Sequence, residues 1–273
     1  MLKKNSTISL KNTKDTKLSI QFNLDGFSFC ISNSITKKTL YFSEYEFSEP
    51  QKTPENLLLK VKEIFKNDAN LQHDFSNVTV IHQNNLATLV PNQYFNENNL
   101  ADYLNYNIKT LTTDFISFDE VENISAKNVY IPYVNINNYL FQNFGEFEYK
   151  HHSTILIKKL IETTNTDKKT MFVNVSKTTF DVVILQHKKV LFSNSFSFET
   201  KEDFIYYILF VAEQLELNTE KFPLYFMGAI ETTSEIYKIT FEYVRNIYFL
   251  ESKNSIFNHL ESAKHSNYIL LGS

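Results

Sequence analysis

Between residues 170 and 200 apolar and polar positions alternate in three short runs. Met171, Val173 and Val175 mark the first, Phe180, Val182 and Ile184 the second, and Leu191, Phe196 and Phe198 the third. Alternation with a period of two predicts strands. Ser176-Lys177-Thr178 and Gln186-His187-Lys188-Lys189 separate the runs, so consecutive strands are expected to pair as antiparallel hairpins. The pattern returns without a gap 151 positions earlier, in LSIQFNLDGFSFCISNSITKKTLYFSEYEF. There Asn23 falls on Asn174, Phe29 on Phe180, Lys37-Lys38 on Lys188-Lys189, Leu40 on Leu191 and Phe47 on Phe198. Matches that hold strand phase across two turns point to an internal duplication.

Each copy continues into a helix and a further strand. PENLLLKVKEIFKN places Leu58, Val61, Ile64 and Phe65 at helical spacing, and KEDFIYYILFVAEQLEL does the same with Phe204, Ile208, Val211 and Leu215. The strands VTVI (78–81) and LYFM (224–227) follow. Two β-β-β-α-β halves imply two similar α/β lobes, each with a mixed sheet whose last strand arrives by a helical crossover. The expected division is a loose tail over 1–16, a first lobe over 17–150 and a second over 151–273. An insertion over 84–108, with a short strand, a turn at Pro91 and a helix starting near Asn96, interrupts the first lobe. Further elements are a strand over 128–134, a helix ended by Gly145, a helix over 153–162, and the polar run TTNTDKK as a hinge. A helix over 232–245, a strand over 247–250 and a last helix over 255–264 complete the second lobe, with an apolar end at 268–271.

The 273 residues suffice for two domains of ordinary size, and 42% apolar content supplies their cores. The 27 lysines and arginines include one arginine, Arg245, the residue type best suited to bidentate phosphate or guanine recognition, so nucleic-acid binding is disfavoured. Cys30 is the single cysteine and can form no internal disulfide, as expected for a cytoplasmic protein. The longest apolar run, 204–212, is far short of the roughly 20 residues that span a bilayer. His151 and His152, adjacent on an expected strand, would point to opposite faces and share no metal. The chain shows no CxxC, no HExxH, no nucleophile elbow and no Walker lysine loop.

The duplicated lobes resemble the actin-like ATPase superfamily, a ribonuclease H-like fold. The likeness is greatest to the PilM/GspL-type platform proteins of type IV pilus and type II secretion machines, and to a domain-of-unknown-function family of the same fold. The resemblance covers roughly residues 17–250. The family's second phosphate loop falls on Asn174, Val175, Ser176 and Thr178 or Thr179 in VNVSKTTFDVVI, its first on Asn23-Leu24-Asp25 before Gly26, and its adenosine motif on FMGAIETTSEIYKI around Gly228.

In an active member of the superfamily two loop aspartates hold magnesium, and glycines let backbone N–H groups approach the phosphates. Here Asn23 and Asn174 stand at both aspartate positions, and the whole chain has four glycines. Asp25 could stand in for the first aspartate, although Asp25-Gly26 is also a favoured type I′ hairpin pair. Asp181 is expected on a strand, facing solvent. The resemblance thus implies a catalytically degenerate scaffold with no catalytic residue, no metal and no cofactor, whose remnant cleft comprises Asn23, Asp25, Asn174, Ser176, Lys177, Thr178, Thr179 and Gly228. An active ATPase or small-molecule kinase using ATP and magnesium is the alternative, and a nucleotide-using filament protein a third class. At the insertion Tyr94, Phe95, Tyr103 and Tyr106 offer large side chains, polar-tipped in the tyrosines, that either dock a protein partner or pack back onto the first lobe.

Overall fold

The computed structural model describes residues 2–7, 15–121 and 124–272. The first lobe contains β2 (Thr16–Asn23), β3 (Gly26–Asn33), β4 (Thr39–Glu46), α1 (Pro54–Asn67) and β5 (Asn77–His82). The second repeats the order in β10 (Thr170–Val175), β11 (Thr179–Gln186), β12 (Lys189–Ser197), α5 (Lys201–Gln214) and β13 (Pro223–Gly228). In both, the first three strands are antiparallel and the fourth lies parallel to the first. Each lobe then adds a helix and one more parallel strand: α3 (Val134–Phe144) and β9 (Glu148–His151) in the first, α6 (Glu235–Tyr243) and β14 (Asn246–Phe249) in the second. Local signals set these boundaries. Pro54 opens α1 behind the Thr53 cap, Thr200 and Asp203 form a reciprocal capping box on α5, and Gly145 takes φ 71 to end α3.

The duplication is present, but its spacing differs from the gapless one. Phe22 pairs with Phe27 as Val175 pairs with Phe180, and Ile20 with Phe29 as Val173 with Val182. The first hairpins therefore superpose two residues away from the expected alignment. Asn23 takes the place of Ser176, and Gln21 takes that of Asn174. The expected spacing returns at the third strand, where Phe27 pairs with Tyr45 and Phe180 with Phe196. The second turn absorbs the difference, being longer in the first lobe (Ser32 opposite Thr39) than in the second (Gln186 opposite Lys189). Lys37 and Lys188 are both left-handed, each with φ 60. The primed two-residue turn is His187-Lys188, with φ 50 and 60, and not Asp25-Gly26, neither of which has a positive φ.

Three further expectations change. Residues 2–7, expected in a loose tail, form strand β1 (Leu2–Thr7), antiparallel to β4 at the edge of the first sheet. Lys3 anchors it by reaching Asp68 at 2.9 Å. The rest of the expected tail lies largely outside the described residues. The insertion runs past Ile108: β6 (Ala87–Pro91), β7 (Ser117–Val121) and β8 (Ala126–Tyr130) make one small antiparallel sheet, ordered β6-β8-β7, and α2 (Leu100–Asn105) packs on it through Leu104 in a core with Val90 and Val129. Instead of a helix over 255–264 there is only a 3₁₀ turn, Ser255–Asn258.

Helix α4 (His152–Thr163) lies between the lobes. Its Leu156, Ile157, Leu160 and Ile161 pack on Phe172, Val183, Leu185 and Met227 of the second sheet and on Ile81 of the first. The other face of each sheet is closed by its own helices, α1 and α3 in one lobe and α5 and α6 in the other. The chain end finishes the interlobe layer. Ile256, Phe257 and Leu271, the last in helix α7 (Tyr268–Leu271), cover Cys30 and Phe42. Among the described residues no helix is long and apolar enough to cross a membrane.

Candidate functional site

The strand ends of both lobes converge on an open cleft of about 380 Å³. Six of the eight residues expected there line it: Asn23, Asp25, Asn174, Ser176, Lys177 and Gly228. What those side chains touch decides what the cleft can do.

The first loop is held by itself. Oδ1 of Asn23 accepts from the backbone N–H groups of Asp25 (2.9 Å) and Gly26 (2.8 Å), so the oxygen that would face a metal ties down its own turn. The second loop reaches across the cleft. Gln83 at the end of β5 donates to Oγ of Ser176 at 2.7 Å, Thr178 donates to Oδ2 of Asp25 at 3.0 Å, and Nζ of Lys177 donates to the Phe47 carbonyl at 3.4 Å. Gln21 supports Gln83 from behind at 2.6 Å. Thr179 lies off the cleft wall, its carbonyl accepting from Ser176 N–H within the turn. Asn174 is directed inward, where it donates to Asp181 at 2.9 Å.

Gly228 is required by backbone proximity. At φ 86 a Cβ there would stand 2.2 Å from the Val175 carbonyl oxygen, because β13 and β10 meet where the chain turns out of the sheet. Its N–H donates to the His265 carbonyl at 2.8 Å.

Charge on the walls is mostly negative. Asp25, Glu44, Glu46, Glu231 and Glu261 face Lys4 and Lys177. Burial pushes the Glu44 carboxyl up, against the hydrogen bond from Asn267 and the charge of Lys4, which pull it down. Such a cleft repels a polyphosphate unless cations come with it. Among the described residues no three His, Cys, Asp or Glu side chains converge to hold a metal.

A second polar cluster lies beneath the cleft, which the sequence pattern does not predict. Asp181, expected in solvent, is buried and accepts from His152 Nε2 (2.9 Å), Ser195 Oγ (2.6 Å) and Asn174. Desolvation alone would raise its pKa; His152 and these hydrogen bonds outweigh it and hold the carboxyl below its usual range. Asp119 is pushed up by burial even though His151 N–H, Thr154 and Tyr130 donate to it. The two histidines do not share a strand: His151 ends β9 and caps α4, and His152 opens that helix. Their Nε2 atoms diverge, one toward Asn84 and the other toward Asp181. The available signal is a polar residue within each apolar run, Gln21 in SIQFN and Asp181 in TFDVVI.

The four aromatic residues expected to meet a partner divide evenly. Tyr94 and Tyr106 are 68% and 86% exposed. Phe95 and Tyr103 instead stack on each other at 6.1 Å within the insertion's core, and the Tyr103 hydroxyl donates to the Tyr94 carbonyl. Leu111 and Phe115, from the same insertion, are also exposed.

Known proteins share this fold. The chain is similar to a Bacteroides thetaiotaomicron protein with an actin-like ATPase fold and unknown function, at a TM-score of 0.78 and 22% identity over 87% of this chain and 91% of that one. It is also similar to the PilM-PilN type IV pilus biogenesis complex (TM-score 0.53, 11% identity, 86% and 88% covered) and to the ethanolamine utilization protein EutJ of Carboxydothermus hydrogenoformans (0.50, 8%, 97% and 90%). These likenesses establish an actin-like ATPase fold. No curated protein matches the sequence. A family model does match over residues 5–247, and the chain belongs to that family, described as Protein of unknown function (DUF3822).

Proposed function

We propose that this chain is a catalytically degenerate actin-like scaffold that works by binding another protein, without using nucleotide. The observation that carries this reading is the latch across the cleft. The second phosphate loop is bonded across the cleft to the first lobe, Thr178 to Asp25 of the first loop, Ser176 to Gln83 after β5, and Lys177 to the Phe47 carbonyl after β4. A triphosphate would have to break these contacts and enter a mostly acidic cleft, with Asn23 and Asn174 already engaged elsewhere. The exposed Tyr94 and Tyr106 support a docking role for the insertion, as does the solution of a structurally similar protein as a complex, PilM-PilN. A cytoplasmic setting belongs to the same reading, supported by the single, buried Cys30.

Calorimetric titration with MgATP tests it. The expected result is affinity no better than about millimolar, with no detectable turnover. Micromolar binding that is lost in Lys177→Ala or Thr178→Ala would overturn the scaffold reading in favour of the ATPase or kinase.

A further inference from the structure

Residues 251–272 take a path that the fold of either lobe does not require. They leave β14 in the second lobe, cross to the inner face of the first sheet, and return to the cleft. At the outset Ser252 Oγ donates to the Leu271 carbonyl at 2.7 Å, joining the start of the segment to its end. Asn254 then donates to Thr39 Oγ1 on β4 at 2.9 Å, while Ile256 and Phe257 bury themselves on Cys30 and Phe42. On the return, the His265 carbonyl accepts from Gly228 N–H, its Nε2 donates to the Ile230 carbonyl at 2.6 Å, and its ring lies 4.3 Å from that of Phe249. Asn267 meets Glu44 of the first lobe, and Lys159 of α4 donates to the Ile269 carbonyl at 2.9 Å.

We propose that this segment is a strap: it fixes the two lobes in one arrangement and closes the end of the cleft at Gly228, so that its release frees the lobes to move and opens the cleft. Two features support the assignment. The segment contacts each lobe and the helix between them, so no hinge motion of the lobes leaves all its bonds intact. It also contains little regular structure. Apart from one 3₁₀ turn and the short α7, its polar hold on the lobes consists of individual bonds such as Asn254 to Thr39 and His265 to Ile230. The apolar residues it buries, Ile256, Phe257, Tyr268, Ile269 and Leu271, belong to the layer between the lobes and to neither lobe's own core, so the segment can open as a unit while both sheets stay folded. The proposal does not depend on the scaffold reading, because it concerns lobe motion and not nucleotide.

The test uses the full chain with Asn254→Ala and Phe257→Ala combined, spin labels on exposed Lys62 and Glu242, and hydrogen exchange. The expected result is a broadened distance between the labels, with exchange faster by about tenfold or more at 251–272 and at both cleft loops, and unchanged in β10, β11 and α5. A freely exchanging segment with an unchanged distance distribution would overturn the strap. If exchange rises throughout the molecule, a second variant decides: Thr39→Cys with Asn254→Cys in a Cys30→Ala background, compared oxidised and reduced. Oxidation is expected to narrow the distance distribution and slow exchange at both loops, and identical behaviour in the two states would refute the proposal.

Discussion

At one pair of equivalent positions the two lobes differ in kind. Gln21 faces Ser28 across the first hairpin, and Asn174 faces Asp181 across the second. In the first lobe the pair is neutral, and Gln21 is directed to Gln83 and the cleft. In the second it carries a buried carboxylate held by His152, Ser195 and Asn174. The same backbone therefore supports a latch component on one side and an internal anchor for α4 on the other. Once the fold is duplicated, a position's chemistry follows from what lies above it: the cleft over Gln21, and the start of α4 over Asp181.

The largest test of that contrast is to remove each side in turn. Asp181→Ala leaves His152 buried without its partner and is expected to cost about 3–5 kcal/mol, whereas Ser28→Ala at the equivalent position should cost at most about 1 kcal/mol. Urea unfolding of the two variants measures both. Equal losses would mean that the anchor and the latch position are energetically alike.

Acid titration separates the histidines from the carboxylate. Burial pushes the His82 imidazole down to about 3, and His151 well below its ordinary value, so both are neutral in the folded protein. Unfolded histidine takes up a proton near pH 6.5 and the folded protein does not, so stability falls as pH drops from about 6.5 toward 3, by at most about 1.4 kcal/mol per pH unit for each histidine. Asp181 acts with the opposite chemistry over a lower range. Its depressed pKa contributes stability above the unfolded value of 3.8, which is lost as the pH falls through its folded pKa. The carboxyls of Asp119 and Glu44, pushed up by burial, take up protons in the folded state first and oppose this fall, so the histidine part is read from the difference between the wild-type chain and His82→Asn, which should lose less stability between pH 7 and 4. Identical pH dependence in the two proteins would contradict the buried neutral assignment of His82.

A smaller effect is expected at the loops. Asn23→Ala removes the acceptor for two backbone N–H groups in the first hairpin and should cost about 1–2 kcal/mol, and Ser176→Ala, which removes one bond across the latch, about 0.5–1.5 kcal/mol. A double-mutant cycle of Ser176→Ala with Gln83→Ala should show coupling, and Asn23→Ala with Ser176→Ala should be close to additive. The reverse pattern would make the first loop the bridging one.

Strand phase made the duplication and the α/β lobes readable, because a period of two, as in Met171, Val173, Val175, suits a strand and spoils a helical face. Register was not readable to two residues. Phe29 on Phe180 keeps the correct sheet face under either alignment, and only the lengths of the two turns select between them. The burial of Asp181 is hidden from the sequence for a related reason. A strand buried on both faces shows no alternation, and β11 is buried through its centre. The strap was out of reach because its partners, Thr39, Glu44 and Lys159, are distant in sequence and its own conformation is mostly irregular. The full extent of the insertion beyond Ile108 is hidden because β7 and β8 complete a sheet only with β6, which precedes them by a turn and a helix.

The smallest expected change in stability bears most directly on function. Tyr94 and Tyr106 lie in solvent, while their neighbours Phe95 and Tyr103 complete the insertion's core. Substituting the first pair with alanine removes little buried area, so Tyr94→Ala with Tyr106→Ala should change unfolding free energy by no more than about 0.5 kcal/mol. Phe95→Ala removes a half-buried ring packed on Tyr103 and Phe118 and should cost about 1–3 kcal/mol. If the insertion docks a protein, the exposed pair should dominate that contact, because aromatic anchors supply most of the energy when an interface excludes water. Affinity for a partner recovered with the wild-type chain should then fall at least about tenfold in the folded double variant, and the fall should be read by titration rather than by recovery alone. An unchanged affinity in a variant with an unchanged melting curve would place the docking surface elsewhere, with the exposed Tyr206 and Phe210 of α5 the next pair to substitute.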